Sequence, residues 1–356
     1  MQALQNTQAS KITRLIVRLL VLLNLLGAGF AALAQAPVIY AVNGSNRHLI
    51  SFRANAPGTL LSDVVLSGLG PFTQLVGIDV RPATGVLYGV ATDSSNVGRL
   101  VTINTNTGAA TQVGSTLPVD TFAYYGMSFD PVADRIRLVS STRNNWRFNP
   151  EDGLPTNDRG LAYAADDPNA VNSPSVVHLA NTNSFAGATV TTAYGIDYGL
   201  NLLVRLGGLN GAPLSPNGGE LVSVGALGVS MDSRYGGFDI EAGSNTAYAA
   251  LRVGGLSRLY TISLASGAAT LVGVIGNGMD VVDGMAIASV PSSCLDLDGD
   301  GVALPLTDGL MMLRALLGLT GTAVTNGALP VPSPPRPTWA AIRAHMNANC
   351  GMHFGP

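Results

Sequence analysis

The sequence predicts an all-β chain: a β-propeller of four-stranded blades, five in number or six if one insertion hides another, followed by a small α-helical module built on a calcium loop. Three observations predict it. Residues 99–114 return as residues 258–273 with ten identities among sixteen positions. Each copy alternates apolar and polar residues, breaks at Thr107-Gly108 or Ser266-Gly267, then alternates again, as two antiparallel strands joined by a tight turn do. A second pattern lies between the copies: glycine, an apolar residue, usually aspartate, then another apolar residue. It occurs at Gly77, Gly126, Gly195, Gly237 and Gly284, with spacings of 49, 69, 42 and 47 residues. Finally, 43 glycines and only 12% charged residues suit many short strands and tight turns.

Three of those spacings match one four-stranded blade, and the long one implies an insertion of about 20 residues. The polar stretch 149–175 is its natural place, with Val176 to Leu179 as a candidate extra strand. The last copy of the pattern, residues 283–288, has no partner strand after it, whereas residues 38–42 form an orphan strand near the start. Paired, they close the ring and cover two edges. The expected blades are therefore residues 283–288 with 38–67, then 75–115, 124–190, 193–228 and 236–276. A β-sandwich does not explain a repeat near 45 residues.

Residues 1–34 carry Lys11, Arg14 and Arg18, then an apolar run at 19–33, then the small residues Ala32 and Ala34. This reads as a secretory signal peptide cut after Ala34, with Ala36 as the other site, and the run is short for a bilayer span. The expected location is extracellular or periplasmic, with no membrane span after cleavage. Losing the three cations of the leader takes the net charge from −3 to −6, which excludes nucleic acid as a partner. The densest basic group, Arg135, Arg137, Arg143 and Arg147, reads as solvated surface. The chain's two cysteines, Cys294 and Cys350, are expected to bridge outside the cytoplasm, contributing roughly 4 kcal/mol by loop entropy. The domain expectation is 1–34 leader, 35–290 propeller and 291–356 C-terminal module.

The run from Leu75 through Pro82-Ala83-Thr84-Gly85-Val86-Leu87-Tyr88, the segment from Asp134 to Ser140 leading to Arg147-Phe148-Asn149-Pro150, and Gly160-Leu161-Ala162-Tyr163-Ala164 are similar to a bacterial secreted domain, domain of unknown function 4394. The resemblance covers about residues 38–288. It implies a propeller-like exported domain and carries no catalytic residues.

An inner strand lines a propeller's channel, so Asp79, Asp197 and Asp239 could form a carboxylate ring for a cation or polar ligand. The competing reading is structural, with each aspartate serving backbone groups, and Ser128 and Ala286 interrupt the ring. No HExxH or GxSxG pattern occurs among the sequence's four histidines, His48, His178, His345 and His353. The first functional reading is a non-enzymatic body presenting a surface to a glycan or protein. The second is an extracellular carbohydrate-active hydrolase, drawing a carboxylate pair from Glu220, Glu241, Asp130 and the ring aspartates. Tyr124, Tyr125, Trp146, Tyr194 and Tyr235 are candidates to stack on sugars, with blade packing as their alternative role.

Near the C-terminus, Asp296, Asp298 and Asp300 occupy positions 1, 3 and 5 of an EF-hand-like loop, Gly301 position 6, and the Val302 carbonyl position 7. Position 9 is Leu304, position 12 is Thr307, and the closing carboxylate, Asp308, comes one residue late. Calcium is the expected cofactor. Thr307 reads as an N-cap before an apolar stripe of Leu310, Leu313 and Leu317, and a final helix presents Trp339, Ile342 and Met346. The proline-rich 330–337 stretch between them should be extended. Together with Thr307-Asp308-Gly309-Leu310-Met311-Met312-Leu313-Arg314, this tail resembles a dockerin-like module with one calcium loop instead of two. The resemblance implies docking onto a cell-surface or scaffold protein.

Overall fold

The computed structural model describes residues 36–288, save 45–46, 71–73, 94, 96 and 121–122, together with 295–299, 303–330, 334–349 and 354–355. The expected leader, Cys294, Asp300, Gly301, Val302, Cys350 and His353 lie outside the described residues.

Strands β1 (Val38–Asn43), β2 (His48–Arg53) and β3 (Ala56–Val65) open the chain. A second group holds β4 (Gln74–Val80), β5 (Leu87–Thr92), β6 (Gly98–Ile103) and β7 (Ala110–Leu117). A third holds β8 (Tyr125–Asp130), β9 (Arg135–Ser140), β10 (Asn145–Phe148) and β11 (Pro155–Asn157). Then come β12 (Ala162–Tyr163), β13 (Val176–Asn181), β14 (Ala193–Asp197), β15 (Leu202–Leu206) and β16 (Glu220–Ala226). The last group is β17 (Gly236–Ile240), β18 (Ala247–Val253), β19 (Leu256–Ile262) and β20 (Ala269–Val274), and β21 (Val282–Ile287) ends the body.

These strands form five sheets, arranged as a five-bladed propeller. The sheet order β21-β1-β2-β3 is the expected composite blade. Its seam is antiparallel, with Ile39 opposite Ile287 and Ala41 opposite Met285. The repeated hairpins are β6–β7 and β19–β20, whose turns carry Gly108 at φ +71° and Gly267 at φ +79°, a region that side chains with a Cβ avoid.

The fourth blade corrects the expected boundaries. Its sheet order is β12-β16-β15-β14-β13, so residues 176–181 are the innermost strand of this blade and add no sixth one. The Gly195 copy of the pattern sits on β14, one strand out from the channel. The position facing the ring is His178, 52 residues after Gly126.

The innermost strands β4, β8, β13, β17 and β21 pack on one another around the axis. Their shared glycine marks the closest approach. A Cβ on Gly77 would lie 2.8 Å from the Met127 Cβ, one on Gly126 2.6 Å from the His178 carbonyl carbon, and one on Gly237 2.4 Å from the Met285 Cβ. Apolar faces between blades complete the core. Tyr88 and Val90 of β5, for example, pack with Phe129, Ile136 and Phe148 of the next blade.

The Arg cluster is only partly surface. Arg137 is 1% exposed and pairs with Asp158 at 2.9 Å, while donating to Asn145 at 2.7 Å and to Asn217 at 2.6 Å. Arg147 grips the same carboxylate with two hydrogen bonds. A guanidinium fork so held fastens the third blade to the loop before β16. The expected solvated surface does not hold for Arg137, which the loop carrying Asn217 from the neighbouring blade helps to cover.

After the body come a single wide helical turn (Pro305–Gly309), α1 (Leu310–Leu316), α2 (Thr322–Thr325) and α3 (Trp339–Asn349). They enclose a separate small core of Leu297, Met311, Ala315, Val324, Ala328, Ile342 and Met346. Ile342 and Met346 meet the expectation. The α1 stripe does not: Met311 and Ala315 face inward, while Leu313 is 54% exposed and Leu317, just past the helix, is 72% exposed. Nor does Thr307 cap a helix; its hydroxyl donates to Asp308 inside the wide turn, and α1 starts from Gly309 with no side-chain cap. No helix among the described residues is long and apolar enough to cross a membrane.

Gly237→Ala should cost about 1–3 kcal/mol of overpacking strain in urea unfolding. Gly218→Ala, whose Cβ would meet nothing within 4 Å, should be near neutral in the same assay.

Candidate functional site

The innermost strands present two different ends. At their C-terminal ends sit Asp79 and Asp239. Asp79 accepts from its own neighbour, Val80 N at 2.7 Å, and from Phe129 N of the next blade at 2.6 Å. Asp239 repeats this with Ile240 N at 2.7 Å and Ile287 N at 2.6 Å. Each carboxylate thus ties one inner strand to the next. Asn181 serves the intervening seam, donating to Ser128 Oγ and to the Phe129 carbonyl, both at 2.9 Å. Burial raises both carboxyls, Asp239 to about 7, and the neighbouring Asp239 charge adds to the rise at Asp79.

Asp197 does not join them. It lies on the second strand, where it accepts from the Tyr163 hydroxyl at 2.7 Å and from Ser175 N at 3.1 Å. The expected three-aspartate channel ring is therefore a pair of interblade ties plus one buried aspartate elsewhere in the fourth blade. The error follows from the Gly195 copy being one strand out of place.

The N-terminal ends of the same strands open on a cavity of about 330 Å³ lined by Gln74, Tyr124, His178, Arg234, Tyr235 and Asp283, among others. Asp283 is 7% exposed; one oxygen accepts from Gln74 Nε2 at 2.9 Å, and the other, Oδ1, is buried with no partner. Burial pushes this carboxyl up to about 6. His178 is 4% exposed, its Nε2 is also buried without a partner, and burial alone pushes it down to about 4. At neutral pH the imidazole is therefore uncharged and Asp283 mostly ionised.

Aromatic rings flank the entrance. Tyr124 and Tyr235 meet edge to face at 5.3 Å, and the Arg234 guanidinium lies 4.6 Å from the Tyr198 ring centre and 5.3 Å from that of Tyr124. Among the described residues no carboxylate pairs with Arg234. The other nearby carboxylates are engaged: Asp120 accepts from Ser140 and Asn144, each at 2.6 Å, and Asp93 from Arg99 at 3.0 Å.

Of the expected aromatics, Tyr124 and Tyr235 line this mouth and Tyr125 borders it, with its hydroxyl on the Asp120 carbonyl. Trp146 and Tyr194 are core residues. None of the proposed acid pairs is assembled at this mouth; Asp79, Asp239 and Glu241 instead line another cavity of about 330 Å³ at the C-terminal ends of the inner strands, where Glu241 also accepts from Ser244, while Asp130 caps Val132 and Ala133 and Glu220 belongs to β16. His48 meets Asp63 on a neighbouring strand, and His345 is buried in α3. Sequence reading missed Gln74, Asp283, Arg234 and the placement of His178. The available signal was the 69-residue gap, since a blade-length step from Gly126 ends near His178.

In the tail, ligand oxygens of Asp296, Asp298 and Asp308 lie within 4.8 Å of one another, and all three residues are buried. Asp308, which follows the standard closing position by one residue, is held by Leu297 N at 2.6 Å and Leu304 N at 2.8 Å. The wide turn at 305–309 takes up that extra residue. Arg336 approaches Asp296 at 3.6 Å but donates chiefly to backbone carbonyls, including that of Leu297 at 2.9 Å. Among the described residues the cluster offers three carboxylates, a donor type that suits a hard cation.

A family model described as "Domain of unknown function (DUF4394)" matches residues 48–286. The chain belongs to that family. No curated protein matches it in sequence. Among solved structures it is similar to a protein of unknown function from Bacteroides thetaiotaomicron, at 14% identity and a TM-score of 0.37, covering 67% of this chain and 58% of that one. It is also similar to glutaminyl cyclase from Myxococcus xanthus, at 8% identity and a TM-score of 0.37 over 63% of this chain and 95% of that one. TolB from Acinetobacter baumannii matches at 11% identity and a TM-score of 0.39, over 71% and 66%. The family member thus spans 58% of the length of the first of these relatives.

Because the Asp239 carboxyl is raised to about 7 from an unfolded value near 3.9, its folded form binds the proton more tightly. Its contribution is fully present below the unfolded value and is lost as pH rises through 7. Stability should therefore rise as pH falls from 8 to 7, a window that lies above the unfolded histidine value near 6.5, so that His178 is largely neutral in both states. The slope should be smaller in Asp239→Asn when denaturation midpoints are compared across that window.

Proposed function

We propose that this chain is an exported, non-enzymatic propeller that binds a small polar ligand at the mouth formed by the N-terminal ends of its innermost strands, and that calcium orders its C-terminal module. The observation that carries the reading is the pair of buried, unpartnered atoms at that mouth, Asp283 Oδ1 and His178 Nε2. Leaving a buried polar atom unpaired costs about 1–3 kcal/mol. A fold retains two of them in one cavity when a ligand supplies the missing partners.

The hydrolase reading has less support. Hydrolysis of a glycoside ordinarily uses two carboxyl groups across the scissile bond. At the mouth Asp283 has a free oxygen, whereas Asp93 and Asp120 are engaged by hydrogen bonds, and in the cavity at the other end Asp79 and Asp239 are each held by two backbone amides. Incubating the chain with a glycan panel tests this: binding without turnover is expected, and catalytic turnover would overturn it.

For the tail, the support is chemical. Oxygens of three buried carboxylates gather within 4.8 Å of one another, and carboxylate oxygens are the donors that a hard cation takes. The exposed Leu313, Leu316 and Leu317 add an apolar face suited to a cell-surface or scaffold protein. Export rests on the leader at 1–34, whose removal after Ala34 an intact-mass measurement of the exported chain would detect.

Calcium should stabilise the tail by about 2.7 kcal/mol at roughly 100 times its dissociation constant. With Trp146→Phe as background, Trp339 fluorescence reads tail unfolding selectively, because the sequence holds two tryptophans. Asp298→Asn should abolish the calcium response. An unchanged tail transition in EDTA and in calcium would remove the cation from this account.

A further inference from the structure

We infer that the mouth of the propeller holds one neutral, polyhydroxylated ring of monosaccharide size, whose hydroxyls complete Asp283 Oδ1 and His178 Nε2 while Arg234 bonds its outer edge. This rests on the reading of the propeller as a ligand-binding body and adds the chemistry of the ligand.

Four observations select that chemistry. The two unpartnered atoms come from β21 and β13, the inner strands on either side of β17, and both residues line the one cavity. The strand between them begins at Gly236, where a Cβ would stand 3.0 Å from His178 Nε2; a bare glycine keeps the floor beside the imidazole clear. The rim carries Arg234, set over Tyr124 and Tyr198 with no carboxylate partner among the described residues. At about 330 Å³ the cavity takes a single ring, near the lower limit for small-molecule sites.

Charge decides among the ligands of that size. An anion would meet Asp283 at the floor, and a compact cation would meet Arg234 at the rim. A neutral molecule bearing both donors and acceptors satisfies the two together. Hydroxyl groups do this at every ring carbon: one donates to Asp283 Oδ1, its neighbour pairs with His178 Nε2 in whichever tautomer the imidazole holds, and others accept from the guanidinium. The edge-to-face pair of Tyr124 and Tyr235 offers apolar surface to the ring's C–H face. The ring could come from a free sugar or from the end of a glycan, and both present the same hydroxyls.

The test uses the full chain, with glucose, galactose, mannose and N-acetylglucosamine as probes in saturation-transfer NMR and calorimetry. Their methyl glycosides and the corresponding disaccharides form a second arm. At least one sugar should bind, and Asp283→Asn and His178→Ala should each weaken it about tenfold or more. Binding of the free sugar alone assigns a free ligand, and equal binding of the disaccharide assigns a chain end. Asp283→Asn should also raise the melting temperature of the ligand-free chain, because it removes an unpaired buried charge. A fall in melting temperature together with no sugar binding would make Asp283 a structural residue and overturn the proposal. Glycine, glycine betaine and inorganic phosphate are the charged probes. If one of them binds and no sugar does, the neutral ring is wrong and the binding body stands; if nothing binds, both readings fall.

Discussion

The closeness of the five innermost strands is the constraint from which the rest of the molecule follows. Where Gly77, Gly126, Gly237 and Gly284 face the neighbouring strand, a Cβ would fall within 2.4 to 3.2 Å of the next blade's atoms. Glycine at these positions lets five sheets close without a wide bore. The aspartates two residues further on then find the next blade's amides in reach, as Asp79 does with Phe129 N and Asp239 with Ile287 N. Ring closure and interblade hydrogen bonding are thus one device, repeated where the sequence keeps glycine and aspartate together.

The fourth blade departs from it, and the departure coincides with the candidate site. There His178 stands where the other blades have glycine, and Ala180 stands where two of them have aspartate. The imidazole lies against Gly236 of the neighbouring inner strand, where a Cβ would stand 3.0 Å from Nε2, and His178 also lines the mouth. Asp283 reaches the same mouth from the closing blade. Both groups sit on inner strands, the most constrained elements of the fold, and a site on such elements holds its geometry without a ligand. The unpartnered atoms lower stability, and the ring's packing offsets that cost.

Legibility in the sequence followed the same division. The hairpins at 99–114 and 258–273 and the seam between 38–43 and 282–287 were readable because strand alternation and repeated turns leave local marks. The fourth blade was not, because its second strand carries a copy of the glycine-aspartate pattern and its first does not. That one displacement misplaced Asp197, assigned residues 176–181 to the third blade or to an extra one, and hid His178. Arg137 and the mouth depend on chain segments far apart in sequence: Arg137 on Asn217, and Asp283 on Gln74. No local pattern reports such pairs. In the tail, Asp296, Asp298 and Asp308, singled out together in the sequence, are neighbours in space, whereas the inward face of α1 was set by packing against α2 and α3 and differed from the leucine stripe.

The composite blade also fixes how the two parts of the chain are joined. β21 is buried along its whole length, pairs with β1 and packs against β4 and β17, and Ala288 N still donates to the Val38 carbonyl at 2.8 Å. The tail therefore leaves from the strand that closes the ring. Asp283 lies on this same strand, two residues before Met285, whose Cβ is the close neighbour of Gly237. The strand that holds the tail, the strand that completes the wheel and the strand that presents the unpaired carboxyl are one element, so a displacement of β21 would disturb all three together.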